Sequence, residues 1–132
     1  MNFTLEELLH SETAITHGFT EQFQPTSGIV KNLNLLMDRI LQPLRDSFGK
    51  PITVNCGYRC PRVNQAVGGV PNSQHLEGKA ADITSEDNKA LFELAKSLPF
   101  DQLLSEKTKN GVPTWIHISY NNGANRKQII YT

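Results

Sequence analysis

Two histidines and an aspartate carry the strongest chemical pattern in this sequence. His75 stands in Ser73-Gln74-His75-Leu76-Glu77-Gly78-Lys79-Ala80-Ala81-Asp82, with Asp82 seven residues after it. Gly78, Ala80 and Ala81 are small enough to let backbones pack closely and leave room for an ion beside a strand. His117 lies within Trp115-Ile116-His117-Ile118-Ser119, where alternation turns Ile116 and Ile118 to the opposite face. Two imidazole nitrogens and a carboxylate oxygen are usual ligands of catalytic zinc, with water in the fourth position.

Each residue also has a plainer reading. A strand histidine is more often a satisfied core or surface residue than a ligand. Asp82 could cap a following helix, and spacing between separate elements does not prove that they converge. Cys56 and Cys60, the only cysteines, form a C-x3-C pair without a second pair or adjacent histidines. They read as reduced structural thiols rather than a zinc knot or a disulfide.

The elements that must position these groups follow from periodicity and punctuation. Thr4 and Glu7 have capping-box spacing, so a short helix is expected over 5–10. Residues 11–27 read as a surface loop. Ile29, Leu33, Leu36, Met37, Ile40, Leu41 and Leu44 form one apolar stripe, predicting a helix over 28–47 with a kink at Pro43. The β-branched run 51–58 predicts a strand, and Pro61 opens a short helix to about Val67. Residues 68–73 are a loop and 80–83 a short buried strand. Ser85 is the expected cap of a helix over 86–98. Strands follow at 100–106 and 115–120, joined by a hairpin-like connection at Lys107–Thr114, and Ile129 and Ile130 suit an edge strand. The class is α+β, a small, mainly antiparallel sheet flanked by helices, in one domain over 1–132.

Composition narrows the partners. With 13 basic and 13 acidic residues the net charge is zero, which gives no electrostatic case for nucleic acid or an anionic membrane. No apolar run approaches the length of a membrane span. The start, MNFTLEELLH, lacks the basic and apolar pattern of a secretory signal, so synthesis in the cytoplasm is expected. A monomer is the default.

Several segments together resemble the zinc D-Ala-D-Ala peptidases, in particular the short branch found among phage endolysins and bacterial cell-wall hydrolases. They are Gly57-Tyr58-Arg59, Val63-Asn64, the run from Gly68 to Asp82, Asp101-Gln102-Leu103-Leu104, and Trp115 to Ser119. The likeness extends over about 3–120, and S-x-H-x6-D followed by W-x-H is its specific element. The resemblance implies zinc ligation by His75, Asp82 and His117, and the hedgehog/DD-peptidase-like fold. It also implies substrate binding by Arg59, whose fork of donors suits a carboxylate or carbonyl, the alternative being a surface ion pair. Ser73 either bonds substrate or fixes its loop. Gln74 and Asn64 read as structural.

Such an enzyme needs a carboxylate to handle the proton of the attacking water. Many members of the resembled family carry an acid three positions before the last ligand, where this chain has Thr114. If the two strands around the hairpin pair antiparallel, Glu106 projects beside that position and becomes the expected general base. The alternative is an exposed glutamate next to Lys107. Asp101 falls at the wrong end of its strand, and Glu77 points away. Trp115 either walls the cleft or is ordinary core, the plainer reading. His10 and His17 read as surface residues.

The function expected is hydrolysis of peptide bonds in peptidoglycan stem peptides or cross-links, of carboxypeptidase or endopeptidase type, acting on the wall after release from the cell. The alternative is a zinc-containing binding module that has lost catalysis, for which Thr114 speaks.

Overall fold

The computed structural model describes residues 1–132. Two short helices open the chain, α1 (Leu5–Leu9) and α2 (Glu12–His17), capped by the hydroxyls of Thr4 and Ser11. Residues 11–27 are thus more ordered than a loop, with a 3-10 turn at Thr20–Phe23 following α2. The long apolar stripe forms α3 (Ser27–Leu36), a π-turn over Met37–Leu41, and α4 (Gln42–Phe48). The expected kink at Pro43 is taken up by this widened turn. Proline offers no N–H and its ring crowds the carbonyl one turn back, and a wider turn relieves both.

Five strands follow: β1 (Thr53–Cys56), β2 (Ala80–Thr84), β3 (Gln102–Glu106), β4 (Trp115–Ser119) and β5 (Gln128–Tyr131). Between them lie α5 (Pro61–Ala66), a 3-10 turn at Gln74–Glu77, and α6 (Asn88–Ala95). The cap of α6 is Asp87, which accepts from Ala90 N. Ser85 instead accepts from Asp87 N, one step before the helix.

The sheet order is β1-β2-β4-β3-β5, antiparallel except for β5, which runs parallel to β3. The β3–β4 connection turns at Asn110 and Gly111, both at positive φ, as a tight hairpin requires. This is the α+β arrangement the sequence predicts.

The sheet has two different faces. Ala81, Ile83, Leu103, Ile116 and Ile118 point to one side and are buried with Leu33, Leu36, Ile40, Leu41 and Leu44 of the long helix and with Leu91 of α6. The alternate residues of the same strands, including Asp82 and His117, face the other way. The core therefore holds the sheet rigid from behind while its front stays open to chemistry. No helix is long and apolar enough to cross a membrane.

A buried glutamine ties the N-terminal helices to this frame. Gln22 donates to the carbonyls of Leu9 and Tyr58 at 2.9 and 2.8 Å and accepts from Cys60 N at 2.8 Å. It thereby fixes the loop that carries Arg59. Removing the amide in Gln22→Ala strands three buried backbone groups, so a loss of about 2–4 kcal/mol is expected in urea denaturation.

Candidate metal centre

Register across the sheet brings the first two candidates together. Asp82 of β2 lies opposite His117 of β4, so their side chains share the front face. His117 Nδ1 sits 3.0 Å from Asp82 Oδ1. His75 arrives from the 3-10 turn, where Ser73 Oγ accepts from its backbone N–H at 3.2 Å. Gly78 ends the turn at φ +71, and a Cβ there would lie 2.9 Å from the Ile29 carbonyl. The turn is packed against α3 where only glycine fits.

The His75 ring is oriented from behind. Its Nδ1 lies 2.6 Å from the Gly57 carbonyl oxygen, which makes Nδ1–H the donor and leaves Nε2 with its lone pair facing the cluster. Nε2 is 3.3 Å from the same Asp82 Oδ1 but lacks hydrogen-bond geometry, so this buried nitrogen has no partner. The two imidazoles meet edge to face, with centroids 5.0 Å apart. A buried nitrogen left bare beside a carboxylate and a second imidazole is what a metal ion would satisfy. Two nitrogens and one oxygen fit zinc with an open position.

Electrostatics agree with the geometry. Burial opposes ionisation of Asp82, but the hydrogen bond from His117 and the close contact with His75 hold its carboxyl well below the usual range. It remains an anion at neutral pH.

Cys56 joins this neighbourhood. Cys56, His75 and Asp82 offer ligand atoms all within 4.8 Å of one another. The cause is a bulge: Val54 pairs with Ile83 and Cys56 with Asp82, so the extra residue Asn55 turns Cys56 to the front face. Strict alternation would have sent it behind with Val54. Its sulfur, however, is 3.8 Å from His75 Nδ1, the nitrogen already engaged by Gly57. Burial pushes the thiol up to about 11, with Asp82 adding to the shift and Arg59 opposing it.

Glu106 lies opposite Trp115, and the next pair along the same face is Leu104 with His117. The glutamate therefore stands one row from the histidine, half-buried, on the front of the sheet. Lys107 does not pair with it; its Nζ sits 5.5 Å above the Trp115 ring. Thr114 Oγ1 donates to the Lys107 carbonyl and so belongs to the hairpin. Asp101 is fully buried at the far end of β3, and Glu77 pairs outward with Lys79.

Open space lies on both sides of the cluster. One cavity of about 450 Å³ is lined by Cys56, Asp82, Arg59 and Trp115, with His10 and Glu12 at its rim. A second, of about 380 Å³, is lined by Ser73, Gln74, Gln102, His117 and Arg126. Trp115 is thus a cleft wall rather than core. His10, read as an ordinary surface residue, bonds Glu12 across 2.9 Å at the cleft edge, and no local motif marks it. Arg59 donates from Nη1 to Asn64 Oδ1, while its buried Nε has no partner. Asn64 also donates to the Val70 carbonyl and ties down the following loop. Gln74 donates to Asp101 Oδ2, the structural role expected of it.

A family model described as peptidase M15 matches residues 1–119. The chain belongs to the peptidase M15 family. Among curated proteins it is similar to the zinc D-Ala-D-Ala carboxypeptidase of Streptomyces albus G, with 43% identity over 67 residues. That stretch is 48% of this chain and 26% of the relative, so the match spans about a quarter of the longer protein. The M15 assignment accords with a five-stranded sheet flanked by helices and with a donor set suited to zinc.

Proposed function

We propose that this M15 chain is a zinc peptidase that hydrolyses peptide bonds in peptidoglycan stem peptides or their cross-links. One observation carries the reading: the two imidazoles approach a single carboxylate oxygen, at 3.3 and 3.0 Å, on a sheet face with open space to either side. His75 Nε2, Asp82 and His117 Nδ1 would hold the metal. Zinc, when bound, supplies polarisation of the scissile carbonyl and a water of lowered pKa.

The chain's own residues supply the rest. Glu106 takes the proton of the attacking water and returns it to the departing amine, which its place one row from His117 supports. Arg59 orients the peptide from the larger cavity that it lines, where the guanidinium donors not engaged by Asn64 suit substrate oxygens. Ser73 already supports the His75 turn, and its place in the second cavity allows a hydrogen bond to substrate as well. The Gly57 carbonyl holds His75 in the tautomer that ligation needs.

The similarity to a zinc D-Ala-D-Ala carboxypeptidase supports D-Ala-D-Ala as the bond attacked. Cavities on both sides of the metal centre leave room for chain on either side of that bond, which supports endopeptidase action as well. The zinc-loaded protein is expected to release new amino groups from purified peptidoglycan, and chelation is expected to stop it. Mass spectrometry of the products then separates the two types: free D-alanine marks a carboxypeptidase, larger paired fragments an endopeptidase. Zinc-loaded protein that frees no amino groups from wall or stem peptide would leave only the binding module.

A further inference from the structure

The second cavity contains a guanidinium that takes no part in the proposed peptidase steps. Arg126 lies in the tail, beyond the residues matched by the family model. Its Nε and Nη2 donate to the two oxygens of Asp101 at 2.9 and 2.8 Å, and its backbone N–H donates to Oδ1 at 2.9 Å. Asp101 is fully buried, whereas the Arg126 side chain is 58% exposed. Gln74 adds a fourth hydrogen bond to the same carboxylate, which links the pair to the residue before His75. Arg126 holds the Asp101 carboxyl well below its usual range, so the pair is ionised at neutral pH.

An arginine held this way is a prepared donor. Of the five N–H groups of a guanidinium, two are used by Asp101 and three remain. Its side-chain freedom is already restricted by the fork, so less is lost when it binds something else. It shares its cavity with Ser73, Gln102 and His117, while Arg59 shares the other with Asp82 and Trp115. The metal centre therefore lies between two guanidinium groups, each fixed by a side-chain acceptor.

We propose that Arg126 is a substrate-binding residue, donating to carbonyl or carboxylate oxygens of the peptide on the side of the metal centre away from Arg59. The inference rests on the peptidase reading and makes Arg126 a determinant of substrate length. A peptide that fills both cavities gains from it; one confined to the scissile residues does not.

The test compares a peptidoglycan stem pentapeptide with the blocked dipeptide acetyl-D-Ala-D-Ala, using zinc-loaded protein. Arg126→Lys keeps a cation for Asp101 and removes the spare fork. We expect KM for the pentapeptide to rise about tenfold, as for loss of a charge-assisted hydrogen bond, with kcat and dipeptide kinetics within about twofold. Zinc content should stay near wild type, and melting temperature should fall by only a few degrees, since lysine keeps the charge but not the fork on the buried Asp101. Arg126→Gln should show the same pattern at lower stability. Unchanged pentapeptide KM in a folded variant, or equal losses on both substrates, would overturn the inference and leave Arg126 as a structural clamp. In wild-type protein, the Arg126 Nε–H resonance should shift on saturation with the product tetrapeptide; no shift counts against the inference whatever the variants do. Wild-type protein that cleaves neither peptide and frees no amino groups from cross-linked peptidoglycan defeats the peptidase reading instead, a distinct result.

Discussion

Asp82→Asn is expected to abolish hydrolysis, with kcat/KM falling by about 10³-fold or more, and to deplete bound zinc. The substitution preserves shape but removes the charge that both imidazoles share: Oδ1 is 3.0 Å from His117 and 3.3 Å from His75. A neutral amide oxygen is a weaker ligand, and the amide nitrogen is none. The fold should survive, because the side chain points to the front of the sheet while its neighbours Ala81 and Ile83 make the core behind. Unchanged circular dichroism with lost zinc, read by elemental analysis, is the expected pair of results. Full activity in the variant would remove Asp82 from the site.

The second large effect separates metal binding from proton transfer. Glu106→Gln should retain zinc and lower kcat by about 10²- to 10⁴-fold, the usual contribution of a positioned acid–base group. KM should change little, since the residue acts on the water and the leaving amine. The opposite outcome has a clear meaning as well. Undiminished kcat would require another proton acceptor, and Glu12, at the rim of the larger cavity, would be the group to examine next.

How much of this was legible in the sequence differs from residue to residue. His75, Asp82 and His117 were readable because each stands in a short segment with a distinctive pattern. Their convergence follows from antiparallel pairing of β2 with β4. The position of Glu106, though not its role, was readable for the same reason, since a place beside Trp115 needs only the hairpin and its register. Cys56 was not, because a bulge at Asn55 breaks the alternation from which side-chain direction is inferred. Helix α2 was missed because it is too short to display a stripe: Ala14 is buried while Ile15 is exposed. Gln22 carries no sign in the sequence that three backbone groups from distant segments meet at its amide. The tail was readable as a strand, but its parallel pairing with β3 depends on where the chain returns. That return, in turn, is fixed by the Arg126–Asp101 fork.

X-ray absorption at the zinc edge tests the metal centre most directly. Protein loaded with one equivalent should show only nitrogen and oxygen neighbours at about 2.0–2.1 Å, with the outer-shell scattering of two imidazoles. A sulfur neighbour at about 2.3 Å would instead make Cys56 a ligand, and a spectrum without imidazole scattering would dissolve the centre altogether.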